Sequence, residues 1–415
     1  MGVAAAASSP EAPSEQAARR RALALVCAAV VLTLTTWFSA TAVVPELAAR
    51  WQMGPASAAW LTNGVQLGFV LGAVAASLTN LSDLVRLHRL MATCAVLVAL
   101  ANAGLLVAPG PGSAIAARIA TGILLAGVYP PALKLVSTWF RRGRGLALGA
   151  VIGALTLGSA TPHAVRYLGG VDWRFVVAAA SGASLLGALL FARTREGPYR
   201  FSRAAFDPRQ MGAVLRNRPL LLANLGYFGH MWELYAAWGW CLAYSREALA
   251  RQGVADAASR ASLLTFAAVS VGVVGCLLGG LLADRFGRTA TTIGMMAVSG
   301  SCALTMGLVF DGPTPLFVAL LLVWGISVIG DSAQFSAAVT EVGDSRFVGT
   351  ALTLQLGFGF ALTIASIHVT GLVAEALGSW RWSFLVLVPG PLLGIWAMAA
   401  LRRHPDAGKM ANGRR

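Results

Sequence analysis

Four ionisable side chains lie inside long apolar stretches of this 415-residue chain, where a charge is costly. Two are acids, Glu233 and Asp331, and two are bases, Arg118 and Lys134. A charged residue at the bilayer centre costs about 2.5–3.5 kcal/mol on insertion scales, so such residues commonly serve a substrate or an ion. Two acids in the second half and two bases in the first could bind a charged solute and a proton. The alternative is that each only fixes helix packing.

One of the acids belongs to a regular polar pattern. Tyr227, His230 and Glu233 recur at three-residue spacing, which places them on one broad helix face. A buried carboxylate beside a histidine can take up and release a proton as its exposure to water changes. We therefore predict proton coupling at Glu233, His230 and Asp331, against the alternative of a structural pair.

The two bases flank a helix-breaking segment, Tyr129-Pro130-Pro131. Such a break frees backbone carbonyls and is tolerated at membrane depth where it lines a cavity. On a straight helix Arg118 and Lys134 would lie about 160° apart around the axis, so both face one cavity only if the helix rewinds between them. Lys134 could instead extend to the membrane surface.

Further polar residues complete a candidate substrate-binding set. Asn63 and Gln66 are three residues apart, and Gln334 lies one turn after Asp331. For each of them the alternative is an ordinary hydrogen bond between helices. The predicted set is Trp37, Asn63, Gln66, Arg118, Tyr129, Lys134, Tyr227 and Gln334.

The elements that must position these residues are twelve long apolar runs. The chain is 57% hydrophobic and 12% charged, with a mean hydropathy of +0.70, whereas a soluble protein carries about a quarter charged residues. A membrane-spanning helix needs about 20 mostly apolar residues, and the runs lack the alternation of barrel strands. The predicted spans, numbered helices 1 to 12 in order, are 22–44, 57–79, 88–108, 113–138, 144–168, 173–193, 219–243, 261–283, 289–310, 315–340, 347–374 and 380–401.

Several functional classes lack their sequence signals. Five cysteines fall inside the runs without a CxxC pair, so neither a disulfide nor a metal site is expected. No P-loop, HExxH or GxSxG motif is present, which disfavours ATP-driven transport and the corresponding enzymes. We expect no enzymatic activity, no cofactor and no metal.

The net charge of +15 reports topology and lipid contact, since the arginines do not gather on one soluble module. If the N-terminus is cytoplasmic, most of the 32 Lys and Arg residues fall on the inner loops and tails. This asymmetry follows the positive-inside rule and predicts that both termini lie in the cytoplasm. No nucleic-acid partner is expected.

A short loop between two runs carries the sequence Gly280-Leu-Leu-Ala-Asp284-Arg285-Phe-Gly287-Arg288. Its spacing, Gly-x-x-x-Asp-Arg-x-Gly-Arg, resembles the cytoplasmic-loop signature of the major facilitator superfamily of secondary transporters. Leu81-Ser-Asp-Leu-Val-Arg86 occupies the corresponding loop of the first half but lacks the Gly-Arg ending. The resemblance implies two related halves, with the substrate site between them.

This resemblance also implies a conformational latch. Gly280 would permit close packing, Asp284 would accept from backbone N–H groups at a neighbouring helix start, and the arginines would add fixed positive charge. The latch would form when the cytoplasmic side is shut and break when it opens. The alternative is a basic loop that only sets topology. The latch residues are Gly280, Asp284, Arg285, Gly287 and Arg288.

Small residues recur at four-residue spacing on helices 2, 5, 8 and 11, as in the Gly64, Gly68 and Gly72 series. Such seams let helix backbones approach closely. In the superfamily these four helices pack across the boundary between the halves, although general packing is the alternative.

We therefore predict an all-α integral membrane protein with twelve transmembrane helices in two six-helix pseudo-repeats. The expected organisation is a disordered cytoplasmic tail over 1–21, bundles over 22–193 and 219–401, a linker over 194–218 and a cytoplasmic tail over 402–415. The expected location is the bacterial inner membrane, and the expected state is a monomer in the lipid bilayer.

The predicted function is secondary active transport of a small polar or charged organic solute by alternating access, driven by protons or another ion. One alternative is efflux of drugs or toxic compounds. An alternative of another class is a membrane sensor or scaffold that has a transporter fold and moves nothing.

Overall fold

The computed structural model describes residues 13–79, 81–140, 144–169, 172–199, 211–343 and 348–414. Within these ranges every regular element is a helix and no β-strand occurs. The twelve predicted membrane helices are confirmed, with shifted ends. They span Pro13–Leu34, Pro55–Leu78, Leu87–Ala103, Pro111–Leu125 with Tyr129–Ser137, Arg144–Leu168, Trp173–Ala192, Arg218–Arg251, Ala257–Ser270 with Gly272–Phe286, Arg288–Thr305, Thr314–Gly330 with Ser332–Val342, Val348–Leu377 and Pro389–Arg403.

Ten of these described helices are long and apolar enough to cross a membrane on their own composition. Helices 1 and 7 carry more polar residues, and helix 7 bears most of the candidate proton site. Because helix 7 has 34 residues, it is about 51 Å long and exceeds the roughly 30 Å hydrocarbon layer.

The predicted tail over 1–21 needs correction from Pro13 onward, since helix 1 already begins there. Alanine, glutamate, glutamine and arginine dominate this stretch and favour helix strongly. Residues 1–12 lie outside the described part of the chain. The linker contains a short helix over Met211–Arg216, and the final segment Pro405–Gly413 forms 3-10 turns with buried Ala407 and Met410.

Four membrane helices are interrupted among the described residues, and in helix 8 the interruption is the single residue Val271. Helix 1 ends at Leu34, and residues 35–40 form irregular turns before a 3-10 turn and the short helix Val44–Trp51. Helix 4 breaks at residues 126–128, directly before Tyr129, as the two prolines predict. Helix 10 breaks at Asp331 itself. The breaks in helices 1, 4 and 10 each contain or adjoin a candidate site residue, namely Trp37, Tyr129 and Asp331.

The glycine seam of helix 2 packs within the first half. A Cβ at Gly68 would lie 2.0 Å from the Ile119 carbonyl oxygen of helix 4, and the Cβ of Gly122 would lie 2.1 Å from Val65 of helix 2. On helix 8, Gly279 similarly meets Gly330 of helix 10. The helix-2 seam therefore packs inside the first half and not across the boundary, whereas Gly153 of helix 5 faces Val273 and Gly272 of helix 8 faces Thr156 across the boundary.

Helices 2 and 11, and helices 5 and 8, form most of the contacts between the halves. We name the end that holds both chain termini the terminal end and the opposite end the distal end. At the distal end, Ala56 N–H donates to Glu375 at 3.3 Å, and Asn63 donates to the Ile364 carbonyl at 3.2 Å. The halves are therefore joined there by hydrogen bonds.

Helices 5 and 8 touch at Gly153, where a Cβ would lie 3.4 Å from Val273. Nearer the terminal end, a Cβ at Gly149, at Gly145 or, on helix 8, at Gly280 would meet no described residue within 4 Å. The conformation is closed at the distal end, where hydrogen bonds join the halves.

Candidate functional site

Arg118 is fully buried in the first half and binds three separate elements. Its Nη1 donates to Asn102 of helix 3 at 2.9 Å and to Ser39 at 3.2 Å, while Nε donates to the Leu61 carbonyl of helix 2 at 3.3 Å. Nη2 donates to the Thr36 carbonyl at 2.9 Å and also to the Trp37 carbonyl. All these acceptors are neutral, so Arg118 is a buried cation without a counter-ion among the described residues.

The guanidinium of Arg118 holds the break of helix 1 in place. The carbonyls of Thr36 and Trp37 have no place in a continuous helix ladder, because helix 1 ends at Leu34. A buried backbone carbonyl needs a hydrogen-bond donor, and Arg118 supplies one to each. Arg118 thus positions the segment that carries Trp37.

Trp37 lies at the contact between the halves. Its ring is 5.8 Å from Phe360 of helix 11 and 6.0 Å from Tyr235 of helix 7. Phe69 of helix 2 completes the cluster, with its ring 4.6 Å from Phe360 and 5.0 Å from Trp37. These aromatic rings close the two halves on each other at the centre of the molecule.

Polar atoms without partners surround this aromatic contact. Gln66 is fully buried, and neither atom of its amide has a hydrogen-bond partner among the described residues. It lies between Asn63 and Phe69, three residues away on either side, and both of these touch helix 11. The indole N–H of Trp37 and the Oδ1 of Asn63 are also unpartnered. A buried polar group without a hydrogen-bond partner destabilises the fold by about 1–3 kcal/mol. The side chains of Gln66, Trp37 and Asn63 are therefore suited to bind a polar solute.

The second half buries the acidic residues. Glu233 accepts from the Trp324 indole N–H at 2.7 Å and from the Ser299 hydroxyl at 2.8 Å, so it points into the interior of that half. His230 Nδ1 lies 2.9 Å from Asp331 Oδ1, and both side chains are at most 2% exposed. The structure therefore brings the three predicted proton-coupling residues into the core of one half. Arg118 lies in the other half.

The remaining predicted ligands lie in different places. Tyr129 is half-buried at the start of the second segment of helix 4. Tyr227 packs its ring on Phe335 at 6.0 Å. Lys134 donates to the Ser82 hydroxyl and carbonyl at 3.3 Å, near the terminal end. Lys134 is therefore held near the terminal end, away from the central aromatic contact.

The latch residues form a cluster at the terminal end. Arg288 donates to Glu341 at 2.9 Å and to Gln334 at 2.8 Å, so the Gln334 amide is engaged there in this conformation. Asp284 is 78% exposed and lies 3.8 Å from Arg288. Gly287 joins helices 8 and 9 at a φ of +93°, a conformation that favours glycine.

The exposed Arg285 stacks over Phe286, with its guanidinium carbon 5.2 Å from the ring centre. Arg288 is thus the latch residue with the most contacts. Those contacts stay within the second half.

Sequence reasoning missed two residues on helix 5. Arg166 is 1% exposed, binds Glu46 and Ser262, and donates to the Ala258 carbonyl of helix 8 at 3.2 Å. His163 is buried three residues earlier, and its Nδ1 has no partner among the described residues. Arg166 lies close to the end of a predicted span, and an arginine at such a position is usually interpreted as a loop charge. This position was the signal that the sequence offered.

Comparison with known proteins identifies the family to which this architecture belongs. The sequence profile of the Major Facilitator Superfamily matches residues 25–354. This chain belongs to the Major Facilitator Superfamily. It is an integral membrane protein and a secondary transporter.

A "probable sulfoacetate transporter" of Cupriavidus necator is 27% identical over 320 residues, which cover 69% of this chain and 71% of that one. The 3-(3-hydroxy-phenyl)propionate transporter of Escherichia coli is 30% identical over 125 residues, 29% of this chain and 30% of that one. The crystal structure of a nucleoside transporter superposes with a TM-score of 0.72 at 13% identity, over 92% of this chain and 99% of the other. That last similarity concerns the fold alone.

Proposed function

We propose that this transporter carries a small organic anion, a carboxylate or a sulfonate, between the two halves by alternating access. The observation that carries the proposal is Arg118, a buried cation bound only by neutral acceptors. A buried charge without a counter-ion is costly, and an anionic solute beside Trp37 would supply the missing negative charge. Gln66, Asn63 and the Trp37 indole would then bind its polar atoms.

The relatives support the same substrate class. The names of two of them specify sulfoacetate and 3-(3-hydroxy-phenyl)propionate, and both solutes carry acidic groups. The aromatic rings of Trp37, Phe69 and Phe360 would accommodate an apolar part of the solute, as ligand sites commonly do.

We further propose that protons drive this transport through Glu233, His230 and Asp331. Glu233 accepts one neutral hydrogen bond at each oxygen and lacks a basic partner among the described residues, so it can exist in either protonation state. Asp331 occupies the break of helix 10, next to the close contact between helices 8 and 10. A proton bound there would change a hydrogen-bond network at a point where the backbone can move.

In the proposed orientation the terminal end is cytoplasmic in the bacterial inner membrane, following the positive-inside rule. The structure then corresponds to a conformation that is closed on the outside. The latch glycine Gly280 has no described residue within 4 Å of its Cβ position, in line with a latch that breaks when the inner side opens.

Uptake into proteoliposomes tests the substrate class. We expect sulfoacetate or 3-phenylpropionate to enter saturably and to accumulate when the proton gradient points inward. Uridine and xylose serve as neutral controls. Transport of the neutral solutes alone would overturn the proposal.

A substitution at Gln66 tests the location of the site. Gln66→Leu removes an unpartnered buried amide, so the empty protein should unfold at the same or a higher temperature. Transport should nevertheless weaken, with KM raised about tenfold by the loss of one hydrogen bond to the solute. A variant that loses stability and transport together would instead assign Gln66 to packing.

Cysteine labelling tests the orientation after Cys27 and Cys94, the half-buried cysteines, are replaced by alanine. A cysteine at Ala255 should react with an impermeant thiol reagent in intact cells, while one at Gly408 should react only after lysis. The reverse pattern would reject the orientation.

A further inference from the structure

A cavity lies at the distal end, away from the central aromatic contact. It has a volume of about 320 Å³ and opens between the short helix Val44–Trp51 of the first half and the end of helix 7 in the second. Pro45, Met53, Trp240, Arg246 and Trp380 are among its lining residues. Both halves therefore build its wall.

The acid of this cavity is fully engaged. Glu247 accepts from the Ser379 hydroxyl at 2.6 Å and from the Trp380 backbone N–H at 3.0 Å. It also pairs with Arg251 at 3.3 Å. Its charge is compensated within the second half.

Arg246 differs, because it is exposed and makes no ion pair or side-chain hydrogen bond with any described residue. Among the described lining residues, Arg246 is thus the uncompensated charge.

The remaining wall is apolar and aromatic. The rings of Trp240 and Trp380 are 4.7 Å apart, and the Trp240 indole N–H is already bound to the Ile367 carbonyl at 2.8 Å. Trp240 therefore offers the cavity an apolar surface with no unpaired donor. The volume falls at the low end of the range for small-molecule pockets.

We propose that this distal cavity is a second binding site, selective for an amphipathic organic anion. Arg246 binds the carboxylate or sulfonate, and Trp240, Trp380 and Met53 cover an attached apolar group. Because both halves line the cavity, an occupant stabilises the conformation that is closed at the distal end. The site rests on the proposed function only for its external location, which follows the proposed orientation.

Equilibrium binding to the full chain in detergent tests the site without any gradient. The probe is 3-phenylpropionate, measured by calorimetry in Gln66→Leu protein so that the central site contributes little. We expect Arg246→Gln to weaken this binding at least tenfold. The matched control is Arg260→Gln, since Arg260 is also an exposed distal arginine but does not line the cavity. Unchanged binding in Arg246→Gln, or equal losses in both variants, would overturn the proposal.

Two further probes sharpen the chemistry. Acetate has the charge without the apolar group and should bind at least tenfold more weakly than 3-phenylpropionate. A short-chain phosphatidylglycerol tests a lipid headgroup as the source of the anion. If it binds through Arg246 and 3-phenylpropionate does not, the proposed site for a soluble organic anion is wrong. Failure of gradient-driven uptake would contradict the proposed function and leave these binding results unaffected.

Discussion

Arg118 in the first half and Glu233 in the second are both ionisable side chains buried in membrane helices, but their surroundings differ. Arg118 uses all three of its nitrogens on acceptors from three elements. Glu233 accepts one hydrogen bond at each oxygen, and the neighbouring His230 Nε2 has no partner among the described residues. An arginine keeps its proton in proteins whereas a carboxylate can exchange one. In the proposed mechanism the first half supplies geometry and fixed charge, and the second half exchanges the proton.

The largest effect is expected for Arg118→Met. This change leaves several acceptors without a donor, each costing about 1–3 kcal/mol, so the thermal unfolding temperature should fall. Removing the fixed charge should also lower anion transport about 100-fold, the equivalent of roughly 2.7 kcal/mol. Unfolding in detergent and uptake in proteoliposomes measure the two effects.

Arg118→Lys separates charge from geometry. Lysine keeps the charge but has three donors on one nitrogen, so stability should drop while some transport remains. Wild-type transport in Arg118→Met would contradict the role of fixed charge proposed for Arg118.

The next largest effect concerns Glu233→Gln, which keeps the shape and removes the titration. The accumulation ratio under a pH gradient should fall to about 1, because no proton is carried on this group. Exchange of labelled solute across the membrane should continue. The graded control is Ser299→Ala, which removes one hydrogen bond to Glu233 and should retain accumulation. Accumulation at the wild-type ratio in Glu233→Gln would place coupling elsewhere.

A smaller effect is expected for Arg166→Gln at the distal end. A hydrogen bond from a charged group contributes about 1.5–3 kcal/mol, so losing those to helix 8 should shift the population toward a distal-open form about tenfold or more. Distances between spin labels at Ala49 and Ala255 report this shift. Arg260→Gln provides the control, and an unchanged distance distribution would contradict the role of Arg166.

The smallest effect is expected for Asp284→Asn in the latch. Asp284 is largely exposed and 3.8 Å from Arg288, and exposed pairs contribute at most about 1 kcal/mol. Insertion and stability should be preserved, while transport slows by less than about fivefold. Arg288→Gln should slow it more, since it also loses Glu341 and Gln334. Equal transport rates in the two variants would indicate that the loop only sets membrane topology.

The sequence was sufficient for the twelve helices because the length and apolar composition of a run together decide whether a segment can span a bilayer. It also singled out Glu233 and Asp331, since an acid within an apolar run is visible without any contact. The helix that a glycine seam contacts was not predictable. Four-residue spacing predicts a close helix–helix contact, but the packing of the whole half decides that Gly68 contacts helix 4.

The break in helix 1 was hidden for another reason. Residues 35–40 contain neither glycine nor proline, the usual helix breakers. Their turns are held by Arg118, which lies far along the chain. Only the tertiary contact reveals why this segment is not helical.

The distance along the chain between the break in helix 1 and Arg118, which holds it, has a consequence for biosynthesis. Thr36 and Arg118 are 82 residues apart, so at 5–20 residues per second a ribosome needs about 4–16 s to deliver the arginine after the threonine. During this interval helix 1 has already emerged while its broken segment lacks the donors that later satisfy it. The first half therefore cannot complete its packing until helix 4 has been synthesised. The order of translation thus sets the order in which that half assembles.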